Sequence, residues 1–201
     1  ESWQAANAGI GAPPIHALAL GADGALFAAT EDGLYRAEAS GNYGGVGNAA
    51  LRVPILSIVR APSDPQVMYA GSYRRGIFKS EDGGKTWRAV GGIFRGRLAA
   101  PGVAVSPRNE NHVFARVLFE RIYKSDDGGD AWHAVWTGML VEVEVETLTI
   151  APSDPRVVYA GTNDGFYASA DGGESWTPRG LESRSVLAIW VDPRDARRVW
   201  A

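Results

Sequence analysis

The sequence predicts an all-β fold of repeated four-stranded antiparallel units, the blades of a β-propeller. Three observations carry that reading. The stretch Ser80-Glu81-Asp82-Gly83-Gly84-Lys85-Thr86-Trp87 returns as S-D-D-G-G-D-A-W from Ser125 to Trp132 and as S-A-D-G-G-E-S-W from Ser169 to Trp176. The three tryptophans stand 45 and 44 residues apart, a period that belongs to stacked supersecondary units. Between the copies lie short runs rich in Val, Ile, Tyr and Phe, punctuated by Gly and Pro, which favour strands over helices. Four such runs per unit of about 40–45 residues make a propeller blade, whereas a β-sandwich needs no strict sequence period.

The recurring octapeptide reads first as a turn. Asp-Gly-Gly between two strands is a hairpin signal, because glycine takes positive φ freely and aspartate bonds back to nearby amides. Ser80, Asp82, Gly84 and Trp87 are therefore expected to form a self-contained structural turn, as are Ser125, Asp127, Gly129 and Trp132, and Ser169, Asp171, Gly173 and Trp176. The alternative makes Asp82, Asp127 and Asp171 calcium ligands or catalytic acids. A catalytic residue is needed once per site, and these recur in each unit.

The S-x-D-x-G-x-x-W form resembles the Asp-box (BNR) repeat of sialidases, sortilin-type receptors, xyloglucanases and photosystem II assembly factors. With A-P-S-D-P-x-V-x-Y-A-G standing before it, the repeat style is more similar to the last three than to sialidases. The resemblance implies a propeller and leaves function open, since that superfamily holds both enzymes and pure binders. It also implies an extracytoplasmic location.

The elements follow in order. Glu1-Ser2-Trp3 matches Glu174-Ser175-Trp176, so the sequence begins inside a repeat. Strands are expected at Ile15–Leu20 and Ala25–Ala29, then Thr30-Glu31-Asp32-Gly33-Leu34-Tyr35-Arg36 leads to a degenerate octapeptide at Ala37–Tyr43 that has lost its aspartate. The next units repeat a first strand, a turn such as Ala61-Pro62-Ser63-Asp64-Pro65, a second strand, a third and the octapeptide. A fifth unit starts with a strand at Val186–Val191 and stops after its second. The expected organisation is one domain over 1–201, with units near 4–43, 44–87, 88–132 and 133–176, and a partial unit of 177–201 with 1–3. Such a ring is incomplete and would leave bare strand edges, which proteins avoid. The expectation is a piece of a longer six- to eight-bladed protein, its ring completed by missing segments or another chain.

Composition narrows the function. A net charge of −3 gives no bias toward nucleic acid. With no cysteine there is no disulfide, thiol nucleophile or thiolate metal site. No run approaches about 18 consecutive apolar residues, so no membrane-spanning helix is expected, and no secretory leader is visible. His16, His112 and His133 each stand alone in a repeat, and no H-E-x-x-H, P-loop or dinucleotide fingerprint occurs. No cofactor or metal is called for.

Two features could carry function. The octapeptide turns and the Ser-Asp-Pro turns share one face; the loops between second and third strands and the links between blades share the other, whose variation marks it as the recognition surface. There Tyr73, Arg74 and Arg75 lie in a loop, and Phe94, Arg95 and Arg97 in the following link, with Arg116 and Arg121 in the next unit. Guanidinium forks suit carboxylates and phosphates; the plain alternative is a salt-bridged rim. The second feature is Val141-Glu142-Val143-Glu144-Val145-Glu146, whose alternation puts valines on one strand face and glutamates on the other. Glu144 or Glu146 could face a central channel, where clustered charge raises a carboxyl pKa, or the run could be a solvated link balancing the arginines. For a hydrolase of the xyloglucanase type, Asp32, Asp164 and Glu142 to Glu146 are the carboxylates in position. Leu51-Arg52-Val53-Pro54 resembles the sialidase R-I-P signature, yet the rest of a sialidase set cannot be placed. The reading favoured is a non-catalytic scaffold binding a protein or peptide on its loop face; the alternative is a glycoside hydrolase or a glycan-binding propeller.

Overall fold

The computed structural model describes residues 8–11, 13–47, 51–94, 102–118, 122–140 and 142–201. Its strands form four four-stranded antiparallel sheets and one two-stranded sheet, each in sequence order. The first sheet holds β1 (Ile15–Leu20), β2 (Leu26–Thr30), β3 (Gly33–Ala37) and β4 (Tyr43–Gly45). The second holds β5 (Ile55–Arg60), β6 (Met68–Ser72), β7 (Gly76–Ser80) and β8 (Arg88–Val90). The third holds β9 (Gly102–Val105), β10 (Val113–Arg116), β11 (Ile122–Ser125) and β12 (His133–Ala134). The fourth holds β13 (Val145–Ile150), β14 (Val158–Thr162), β15 (Gly165–Ser169) and β16 (Thr177–Pro178). The pair β17 (Trp190–Asp192) and β18 (Asp195–Trp200) starts a fifth unit.

The first strands touch in succession, β1 with β5, β5 with β9 and β9 with β13, which sets them innermost, as in propeller blades. No sheet among the described residues joins strands from both ends, so the ring is open. Residues 1–3, expected to complete the fifth unit, lie outside the described residues. The strand expected at Val186–Val191 is shorter, because the Val186 amide donates to Thr162 O at 2.9 Å and holds that segment against the fourth blade.

The core lies between blades, not within them. Four apolar clusters occupy the four successive seams, each drawing residues from two neighbouring units. At every seam the second residue of a second strand is an aromatic ring aimed at the next unit. Phe27 meets Gly84 and Phe114 meets Gly173, so closely that a Cβ on either glycine would stand 2.4 Å from the ring. The Tyr69 hydroxyl donates to Glu110 O at 2.9 Å and Gly128 O at 3.3 Å, and that of Tyr159 to Ala196 O at 2.8 Å. Burial pushes the Tyr69 phenol well above its ordinary pKa, which keeps it a donor. Charge pairs bridge two seams: Arg88 to Asp130 at 2.9 Å and Lys124 to Glu174 at 2.6 Å.

The octapeptides are closed turns. Ser80 Oγ accepts the Gly84 amide at 2.9 Å and donates to Asp82 Oδ1 at 2.8 Å; that carboxylate accepts the Thr86 amide at 2.8 Å. Ser125 and Asp127, and Ser169 and Asp171, repeat this with Gly129 and Ala131, and with Gly173 and Ser175. The indoles of Trp87 and Trp132 donate to Gly84 O and Gly129 O inside their own turns, whereas Trp176 reaches Val135 O of the preceding unit. Each turn is tied to its first hairpin, with the amides of Gly83, Gly128 and Gly172 donating to Gln66, Asn111 and Arg156 carbonyls. Both turn types therefore share one face.

These carboxylates are held ionised. The Ser175 hydroxyl, then the Ser175 amide and the Ser169 hydroxyl, lower Asp171 from its ordinary 3.8 to about 2 against a smaller opposing effect of burial. For Asp127 the Ala131 amide and the Ser125 hydroxyl act in the same direction. A carboxyl whose folded value lies below its unfolded value stabilises the fold above the unfolded value, and that contribution is lost as pH falls through the folded one. Asp171→Asn is thus expected to lower stability at pH 7 and to flatten the loss of stability between pH 4 and 2, read by tryptophan fluorescence during acid titration. Gly84→Ala combines a residue at φ 87 with the clash on Phe27, and it is expected to cost about 2 kcal/mol or more in urea denaturation.

Candidate functional site

The opposite face is built from the turns between second and third strands and the links that enter and leave each blade. In three units the last residue of the second strand carries a buried hydroxyl that donates back across the turn: Thr30 to Gly33 O, Ser72 to Gly76 O and Thr162 to Gly165 O, at 2.8–3.0 Å. Satisfying this buried carbonyl closes the turn. The links are stitched to the same turns, with Tyr73 N donating to Pro54 O, Asn163 N to Glu144 O and Gly165 N to Arg184 O. In the third unit Arg116 takes the hydroxyl's place and crosses to the fourth blade, donating to Val145 O at 3.0 Å.

On this face Tyr73 is 41% exposed, and the Arg74 guanidinium carbon stands 5.1 Å from its ring centre, within range of a cation–π contact. Arg74 holds φ at 70°, a left-handed conformation that costs a non-glycine residue about 1–2 kcal/mol. Arg74, Arg75 and Arg52 are exposed and make no ion pair among the described residues. Many other cations are paired, among them Lys79 with Glu81, Arg88 with Asp130 and Arg156 with Asp154.

Phe94 corrects the sequence reading. It is fully buried, with its ring centre 5.3 Å from those of Tyr123 and Trp132. The chain reverses at Gly91, whose carbonyl accepts the Phe94 amide at 3.0 Å, and that turn folds the ring into the second seam. Phe94 is core, and the apolar residue after Gly91-Gly92 was the available signal. Arg95, Arg97 and Arg121 lie outside the described residues, so the structure brings together only the Tyr73-Arg74-Arg75 half of the expected patch.

The glutamate run splits by alternation. Val143 and Val145 are buried, Glu142 and Glu144 are exposed, and Val141 lies outside the described residues. Glu146 sits at a register shift between Val145 and Thr147, the kind of irregularity that re-aims a side chain. Its carboxylate stands 3.7 Å from Arg116, so its near neighbour is a cation. Burial lowers the Arg116 pKa below its ordinary value, against the attraction of Glu146 and Glu144. Asp164 Oδ1 accepts the Ser183 amide at 2.5 Å and so holds the exit link. Asp32 lies at the matching turn of the first blade, in a cleft of about 400 Å³ that also holds Arg52.

On the fourth blade, Glu142 and Asp164, both named from the sequence as carboxylates in position, line a groove that the sequence does not reveal. Two adjoining hollows of about 360 and 230 Å³ share Leu140 and Asp164. Glu142 and Asn163 line one, and Phe166, Tyr167 and Glu182 the other. Glu142 and Asp164 were legible as candidate carboxylates, but the groove joins them to Leu140 and Glu182 from segments that sequence spacing does not bring together.

No family model matches the sequence, and no curated protein does. Solved structures match the fold. An ancestral GH74 enzyme superposes with a TM-score of 0.77 at 20% identity, over 96% of this chain and 28% of that one. The GH74 xyloglucanase from Xanthomonas campestris gives 0.72 at 20% identity, over 93% and 35%. YCF48 bound to D1 peptide gives 0.60 at 19% identity, over 86% and 56%. The chain thus spans about a third of the GH74 chains and just over half of YCF48, and what it shares with them is the β-propeller fold.

Phe94→Ala is expected to destabilise the fold by about 3–5 kcal/mol, as truncation of a large core aromatic does. Arg75→Ala is expected within about 0.5 kcal/mol of the parent, as for an exposed side chain. Urea denaturation of both variants checks the contrast.

Proposed function

We propose that this chain is a non-catalytic propeller scaffold that binds a protein or peptide partner on its loop face, through an acidic segment held by Tyr73, Arg74 and Arg75. The observation that carries the reading is the exposed Arg74–Arg75 pair, without an ion-pair partner among the described residues, on a turn where Arg74 takes a strained φ of 70°. Backbone strain of this sort gathers at functional sites. Guanidinium groups form bidentate, charge-assisted bonds with carboxylates, and an exposed tyrosine adds rigid contact area. Arg95 and Arg97, expected from the sequence to belong to the same patch, lie outside the described residues. The balanced net charge of −3 sets nucleic acid aside, and resemblance to exported Asp-box propellers favours an extracytoplasmic place. YCF48 in its solved complex holds a peptide, which supports peptide binding as a use this fold allows.

A glycoside hydrolase is the competing reading. It is less favoured because Glu146 faces Arg116 and Asp164 is engaged with the Ser183 amide.

The test is fluorescence anisotropy with a glutamate-rich decapeptide and its glutamine counterpart. Selective binding of the acidic peptide is expected, weakened about tenfold or more by Arg74→Glu/Arg75→Glu, the scale of one lost charge-assisted bond. Arg74→Gly relieves the left-handed strain, so it is expected to raise stability by about 0.5–1 kcal/mol while weakening binding. Xyloglucan hydrolysis untouched by the arginine variants but abolished by Glu146→Gln would overturn the proposal.

A further inference from the structure

The groove on the fourth blade is the opposite of the arginine turn in charge and lies on the same face. Its floor is apolar: Val143, Phe166 and Tyr167 are buried beneath it, and Leu140, at the junction of the two hollows, remains 60% exposed. Glu142, Asp164 and Glu182 form its rim. Among the described residues none of the three has an ion-pair partner, although carboxylates elsewhere, such as Glu81, Asp130 and Glu174, are paired. An exposed leucine over an apolar floor, ringed by unpaired acids, suits a ligand that is apolar and cationic at once.

The wall of the groove is built to hold its shape. Phe166 N donates to Gly180 O at 3.0 Å and Arg179 N to Phe166 O at 2.7 Å, so the exit link runs as an extension of the sheet. Beyond it, Leu181 and Ser183 both take left-handed backbone, at φ 62° and 61°. Asp164 maintains that conformation by accepting the Ser183 amide, and Gly165 N by donating to Arg184 O. Two non-glycine residues in this conformation within three positions are a cost that a plain surface link would avoid. No three acidic or histidine side chains among the described residues stand as a metal-ligand group. The outer strand β16 ends in Pro178, which has no amide to donate, so strand addition is disfavoured there and side chains must do the recognising.

We propose that this groove is a second recognition site, for a peptide segment in which an arginine or lysine is flanked by aliphatic residues. The aliphatic side chains lie on Leu140 and the Phe166–Tyr167 floor, and the cation meets Glu142 and Glu182. Asp164 shapes the wall. The site stands independently of the acidic-segment reading of Tyr73, Arg74 and Arg75.

The test uses the full chain and a fluorescein-labelled heptapeptide with a central arginine between leucines, beside a version with glutamine in the arginine's place. Binding of the arginine peptide is expected, about tenfold or more weaker for the glutamine version and for Glu142→Gln/Glu182→Gln, the scale of one charge-assisted bond. Leu140→Ser is expected to weaken both peptides alike, and Arg74→Glu/Arg75→Glu to leave the site intact. Thermal melts confirm that each variant folds, and amide shifts of Leu140 and Glu182 on titration locate the site. No binding, equal binding of the two peptides, binding of free arginine as tight as the peptide, or an unchanged affinity in folded Glu142→Gln/Glu182→Gln would each overturn the proposal.

Discussion

The seam contact between an aromatic side chain on one blade and the octapeptide turn of the next is what the rest of the structure depends on. A single four-stranded blade has two apolar faces and cannot bury either alone. Phe27 against Gly84 and Phe114 against Gly173 set the spacing at the first and third seams, while Tyr69 and Tyr159 add hydrogen bonds to carbonyls across the second and fourth. Larger residues at those glycines would push the blades apart, and the apolar clusters at each seam would lose their close packing. Each octapeptide thus serves twice, closing its own turn and receiving the ring of its neighbour.

This arrangement divides the two faces. The turns beside the octapeptides are committed to structure: their aspartates accept backbone amides, their serines bridge the turn, and their tryptophans lie in or near the seams. The opposite face has closed turns too, but their tips are free to vary. Tyr73, Arg74 and Arg75 project from one such turn, while Asn163 and Asp164 line a groove from another. A rigid scaffold with variable tips can present opposite charges on one surface without altering the core. Leu18 and Leu20 on β1 are exposed, as are Trp190 and Trp200, whose rings lie 4.7 Å apart.

Three copies of one octapeptide, together with strand-length apolar runs between them, were enough to read the propeller, its strand order and its two faces. The reason is repetition: each unit must solve the same packing problem, so the same residues recur where the same contacts recur. Phe94 shows the limit. As an aromatic in a link between arginines, it reads as a surface residue, but the reversal at Gly91 turns it into the second seam. Glu146 shows the same limit. Alternation places it on the polar face of the run, yet only the register shift and Arg116, 30 residues away in sequence, settle what it meets.

The chain's own order of residues therefore determined the repeating unit, because strand alternation, turn chemistry and period are local. Tertiary structure alone decided which side chains meet. The groove of Leu140, Glu142, Asp164 and Glu182 exists because the entry link, the turn after β14 and the exit link converge at the rim of one blade. The strained backbone at Leu181 and Ser183, held by Asp164 and Gly165, arises in the same way. Non-glycine residues keep left-handed φ only where the surrounding contacts impose it, and those contacts are made by segments distant in sequence.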